Sequence, residues 1–119
     1  MKYMLLIFNN PQNLEAAGHD MGQIGREVDE LMTELNESGE WIGGEALAHA
    51  DRAKTVKVRD GAPVITDGPF IEAKEQFAGY CLFECETEER ALEIAARWPD
   101  ARINGVELRP LMTHDAADV

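Results

Sequence analysis

Five side chains in this sequence have the chemistry to form a site: Asp67, Lys74, Glu45, Arg109 and His19. Asp67 opens the run Asp67-Gly68-Pro69-Phe70. Its carboxylate can work as a general acid or base, or fix a ligand's donor group. The competing role is structural, because Asp before Gly-Pro is a strong turn former whose carboxylate accepts from nearby backbone N–H groups. Lys74 stands beside Glu75. On an extended segment adjacent residues face opposite ways, so at most one of them points into a given cleft. Lys74 can hold an anionic group of a ligand or perturb Asp67. As an exposed ion pair with Glu75 it would contribute under about 1 kcal/mol.

Glu45 follows Gly43-Gly44. Paired glycines in a strand either let a ligand approach the backbone or mark a bulge. Arg109, in the last apolar segment, can pair with a carboxylate, either a ligand's or one near Glu107 across a dimer, the structural pairing being the commoner use. His19-Asp20 is the most suggestive of three scattered histidines; His49-Ala50-Asp51 is too short to imply a metal site, and His114 lies in a polar tail. Trp41 and Trp98 can floor a ligand pocket, although core packing is their commoner use. No Ser-His-Asp order, phosphate loop, dinucleotide fingerprint or zinc spacing occurs, so no cofactor and no metal are expected.

The elements that must position these residues follow from periodicity. Residues 2–8 are apolar on both parities and predict a strand ending at Asn9-Asn10-Pro11. Residues 9–21 form a long polar loop. Ile24, Val28, Leu31, Met32 and Leu35 predict a helix over 22–38, with Gly39 as its C-cap. A strand follows over 41–48, broken by the glycines. Residues 54–59 alternate as a half-exposed strand, Asp60-Gly61 signals a hairpin turn, and 64–66 return. Residues 77–85 form a strongly apolar strand. Thr87 is an N-cap, Ala91, Leu92, Ala95 and Trp98 give a helical stripe, and Pro99 ends it. The last strand spans 104–111, and residues 113–119 read as a disordered tail.

This order is βαβ, a hairpin, then βαβ, which without the hairpin is the split βαβ of ferredoxin-like α+β domains. Both helices would cover one face of the sheet. The first strand is apolar on both faces, so one face stays uncovered, and pressing two such sheets together is the usual remedy. A homodimer is therefore expected.

The chain has 119 residues, enough for one domain, and a net charge of −12 from 23 acidic and 11 basic side chains. Such a surface repels nucleic acid and anionic membranes, so neither is an expected partner. Cys81 and Cys85 would sit about 13 Å apart on one strand, too far for a disulfide, and read as buried thiols in a reducing compartment. The opening apolar run is too short for a signal-peptide core and no stretch reaches membrane-spanning length, so a cytoplasmic location is expected.

Residues 64–80 carry a more specific pattern. Asp67-Gly68-Pro69-Phe70, followed by Glu72, Lys74, Glu75 and Gly79, resembles the signature of the DGPF proteins, part of the YCII-related family. The opening Lys2-Tyr3-Met4-Leu5-Leu6 and the closing Glu107-Leu108-Arg109-Pro110 resemble the family's ends, so the likeness spans about residues 1–112 as a single domain. The resemblance implies a ferredoxin-like monomer in a dimeric α/β barrel, with a cleft in which the motif aspartate, here Asp67, is the suspected functional acid. Some members of the family are linked to sigma-factor-type regulators, and related barrels house small-molecule enzymes. Shorter relatives carry a first-helix histidine proposed to pair with that aspartate. The corresponding place falls near Val28, no histidine occurs in 22–38, and His19 is the substitute within reach.

Two functional expectations follow. The first is a small-molecule binder with acid–base, proton-transfer or isomerase-like activity, using Asp67 with Lys74, Glu45 or Arg109 as ligand contacts. The second is a non-catalytic dimeric module that senses a ligand or accompanies a regulator. A purely structural dimer explains less, since the 9–21 loop and the DGPF segment exceed what a sheet pair needs.

Overall fold

A computed structural model describes residues 1–10, 21–69 and 76–112. The candidates His19, Lys74 and Glu75, together with Phe70, Glu72, His114 and the tail, lie outside these residues. The elements run β1 (Lys2–Asn9), α1 (Met21–Ser38), β2 (Trp41–Ala46), a 3-10 turn (Ala50–Arg52), β3 (Lys54–Arg59), β4 (Ala62–Asp67), β5 (Gln76–Glu84), α2 (Glu88–Arg97), a second 3-10 turn (Pro99–Arg102) and β6 (Val106–Pro110). Four strands form one sheet in the order β2-β5-β1-β6, antiparallel throughout. β3 and β4 pair only with each other, as a separate ribbon. With the ribbon set aside, this is the ferredoxin-like α+β topology that the element order implies.

Parity on the two central strands decides the layers. Tyr3 and Leu5 on β1, and Cys81 and Phe83 on β5, are buried and pack with Leu31 and Leu35 of α1 and Ala91, Ile94 and Ala95 of α2. Met4, Leu6 and Phe8 take the opposite face, with Tyr80 and Leu82 paired across from Leu6 and Met4. No helix of the described residues covers that face, and the molecule's short dimension is 18 Å, about a sheet and one helical layer. The stripe on α2 differs from the sequence expectation in one place. Leu92 is exposed and Ile94 is buried, because Ala91, Ile94, Ala95 and Trp98 fall on one side of a 3.6-residue helix.

The ends are set locally. Thr87 Oγ1 accepts from the Arg90 N–H (3.1 Å). Gly39, at φ +80°, ends α1 while the Glu40 N–H returns to the Leu35 carbonyl (3.0 Å). Asp60 (φ 52°) and Gly61 (φ 78°) make the two-residue turn that joins β3 to β4. No helix among the described residues is long and apolar enough to cross a membrane.

The glycine pair in β2 does two different things. A register shift between Trp41 and Gly43 is a bulge, after which Gly44 faces the helices opposite Cys81. A Cβ on Gly44 would lie 2.5 Å from the Tyr80 carbonyl oxygen, whereas one on Gly43 would meet nothing within 4 Å. We therefore expect Gly44→Ala to lose about 1–3 kcal/mol in denaturant unfolding, as overpacking does, and Gly43→Ala to stay within about 1 kcal/mol of wild type.

Candidate functional site

Asp67 ends β4, and its carboxylate is ion-paired with the Lys54 ammonium directly across the ribbon. Both side chains are largely exposed, that of Asp67 by 84%. The next residues hold the ribbon's exit. The Gly68 N–H donates to the Ala53 carbonyl (2.8 Å), and the Thr55 hydroxyl donates to the Gly68 carbonyl (2.8 Å). Gly68 has φ +98°, a conformation that L side chains rarely adopt. The described half of the motif thus closes the base of a hairpin.

The other candidates stand apart. Glu45 lies opposite Tyr80 on the edge strand β2, with an exposed side chain. Arg109 lies on the other edge strand, β6, opposite Met4. Two strands separate these edges, so their backbones are about 14 Å apart. Arg109 pairs with Glu107 two residues back in the same chain (2.7 Å), both side chains exposed. His49 Nδ1 accepts from the Asp51 N–H (3.2 Å) and caps the first 3-10 turn. Among the described residues no group of three or more His, Cys, Asp or Glu is placed to hold a metal ion.

A concavity of about 340 Å³ on the ribbon is lined by Thr55, Lys57, Arg59, Val64, Thr66 and Pro69, and one with an apolar, aromatic lining lies elsewhere. A cleft of about 310 Å³ opens between the helix side of the sheet and α1. Its walls include Ile7, Met32, Trp41, Cys81 and Trp98. Its floor has a simple cause. Gly44, Ala46 and Gly79 neighbour one another on the helix face, where Ala46 pairs with Gly79 and Gly44 with Cys81. Side chains that would fill the layer are missing there. A Cβ on Gly79 would lie 2.9 Å from the Glu45 carbonyl oxygen, so the close strand approach excludes one. Glu45 borders the cleft through its place in β2, while its side chain shares the open face with Tyr80. The volume is at the lower end of the range for small-molecule sites, and the apolar, aromatic lining fits that class. Trp98 belongs to the buried core and Trp41 packs against it, so both tryptophans serve the core while walling the cleft. The signal that sequence reading missed was the coincidence of Gly44 with Gly79, which only strand register creates.

A third concavity, of about 480 Å³, contains a bidentate ion pair. Arg90 grips Glu40 with two nitrogens (Nε–Oε2 3.0 Å, Nη2–Oε1 2.8 Å), and the Ser38 hydroxyl donates to the same carboxylate (2.7 Å). Both side chains are partly buried. The Arg90 hydrogen bonds hold the Glu40 carboxyl well below the usual range, at about 2, against the opposing effect of burial. The Cys85 thiol beside it is pushed up to about 11, mainly by burial, and burial together with Asp100 pushes Cys81 up to about 12. These are poor nucleophiles at neutral pH. A bidentate grip whose lone pairs are already taken is a fastener between the α1–β2 turn and α2.

Glu40 is about 2 in the fold against 4.5 for the free side chain, so its contribution is complete above about pH 4.5 and is lost as pH falls toward 2. Glu40→Gln should cost about 1–3 kcal/mol at pH 7 and flatten that acid limb in urea melts. At matched protein concentration, Asp67→Ala should cost under about 1 kcal/mol, as exposed pairs do. Gly68→Ala should cost about 1–2 kcal/mol, because it forces a Cβ into a left-handed backbone.

The sequence has relatives along its whole length. An uncharacterized protein of Rhizobium meliloti (strain 1021) is 25% identical over 122 residues, an alignment covering 100% of this chain and 98% of that protein. The YCII-related domain matches residues 1–114, which takes in every described element from β1 to β6. That match spans nearly the whole chain, and the chain belongs to the YCII-related family.

Proposed function

We propose that this protein binds a small, mainly apolar molecule in the cleft over Gly44 and Gly79, as one half of a cytoplasmic homodimer that presses two open sheet faces together. The observation that carries the binding reading is the cleft itself: an apolar hollow bearing both tryptophans of the chain, at a place where close strand packing forbids side chains. A merely loose core would close such a gap with larger residues. The dimer reading rests on Met4, Leu6, Phe8, Tyr80 and Leu82, an apolar sheet face beneath which the described residues offer no second layer. Two free, buried thiols suit a reducing compartment. A charge of −12 favours neither nucleic acid nor an anionic membrane as partner.

Binding without chemistry has more support than acid–base catalysis by Asp67. A working acid or base sits within hydrogen-bond reach of a bound substrate, in a cleft that tunes it. The Asp67 carboxylate is spread on an exposed ribbon against Lys54, and it is not among the residues lining the apolar cleft.

The test uses Trp41 and Trp98 as built-in reporters. N-phenyl-1-naphthylamine, a neutral apolar dye, should quench the intrinsic tryptophan emission and brighten in a saturable way. Ala46→Leu, which fills the floor of the cleft from an exposed position, should weaken dye binding at least tenfold without lowering the unfolding midpoint. Equal binding by wild type and Ala46→Leu, or no saturable binding by wild type, would defeat the reading.

A further inference from the structure

The β3–β4 ribbon is built as if something lies on it. Val56 pairs with Ile65 and Val58 with Pro63, so these four side chains form one face. That face is open to solvent: Val56 is 59% exposed, Val58 68% and Ile65 64%. A two-stranded hairpin is marginal on its own in water, and large β-branched side chains left wet add nothing to hold it. Yet the ribbon has a tailored turn at Asp60-Gly61 and a fastened base at Gly68. The investment in its geometry makes sense if the apolar face is covered in the working protein.

Area and charge identify the cover. Four strands about 4.8 Å apart and about six residues long give the open sheet roughly 400 Å² of projected face per copy. A stable interface takes about 800 Å² from each partner. The ribbon adds roughly 200 Å² by the same reckoning, which closes much of that gap. Charge points the same way. The ribbon, residues 54–67, holds Lys54, Lys57 and Arg59 against Asp60 and Asp67, a net charge of +1, which leaves −13 on the rest of the chain. Two copies that each carry −12 repel, and a basic arm laid on an acidic neighbour offsets that repulsion.

We infer that the β3–β4 ribbon is a dimerisation arm whose Val56, Val58 and Ile65 face packs against a second copy of this chain. The inference rests on the homodimer reading above and goes beyond it by adding a contact that the sheet face does not contain. In a two-fold dimer the exchange is reciprocal, each copy giving one arm and receiving one.

Crosslinking tests this without disturbing the fold. Val58→Cys carries the single reactive thiol, since Cys81 and Cys85 are buried and poorly ionised at neutral pH. Labelled with benzophenone maleimide and irradiated in an equal mixture of light and ¹⁵N-labelled chains, it should give covalent dimers containing light–heavy pairs. Crosslinks confined within one chain would mean that the chain's own segments cover the ribbon, and the inference would fall. In sedimentation equilibrium the pair Val56→Asp/Ile65→Asp should raise the dimer dissociation constant at least tenfold, with an unchanged far-UV CD spectrum. Leu6→Glu serves as the sheet-face control. If Leu6→Glu dissociates the dimer and the ribbon pair does not, the sheet-face dimer stands and the arm is refuted. A wild type that is monomeric at every concentration refutes both.

Discussion

β1 and β5 pair at the centre of the sheet, and both carry apolar side chains on both parities. Everything else answers to that pair. Among the described residues, the helices cover one of the two faces. On the covered side Tyr3, Leu5, Cys81 and Phe83 meet the stripes of α1 and α2. On the other, Met4, Leu6, Phe8, Tyr80 and Leu82 have no layer among the described residues. The helices are then fastened by charge. Arg90 grips Glu40, Arg97 reaches Glu34 (2.5 Å) and Arg102 reaches Glu27 (2.5 Å). The first is partly buried and fixes position. The other two are more exposed and contribute little.

The cleft is a consequence of how β2 joins this sheet. Its bulge at Ile42 reverses parity, so that Gly44 and Ala46, rather than Gly43 and Glu45, face the helices. With Gly79 beside them the layer loses its side chains in one patch, and the two tryptophans and Met32 wall the gap instead of filling it. Cys81 at the edge is a small apolar wall whose thiol stays protonated.

The DGPF segment has a different place. Asp67 and Gly68 close the ribbon, the first through Lys54 and the second through Ala53 and Thr55. At Gly68 the chain leaves the ribbon in a left-handed conformation (φ +98°), and Pro69 follows with its φ fixed by its ring. This gives the motif work to do even where its carboxylate touches no ligand.

What the sequence determined by itself was everything that depends on near neighbours. Thr87, Gly39 and Asp60-Gly61 each set a cap or turn through one or two local bonds, and the helical stripes and strand alternation followed from 3.6- and 2-residue periods. The order of those elements was enough for the ferredoxin-like topology, and the doubled apolar parity of β1 was enough to leave one face bare. The tertiary structure decided what depends on residues far apart in the chain. Glu40 and Arg90 are 50 residues apart and have no pattern that announces their union. Glu45 and Arg109, equally plausible as partners on paper, sit on opposite edges because strand order puts β5 and β1 between them. The cleft exists only because register sets Gly44 and Ala46 beside Gly79, and register is fixed by pairing and bulges, not by any one strand's composition.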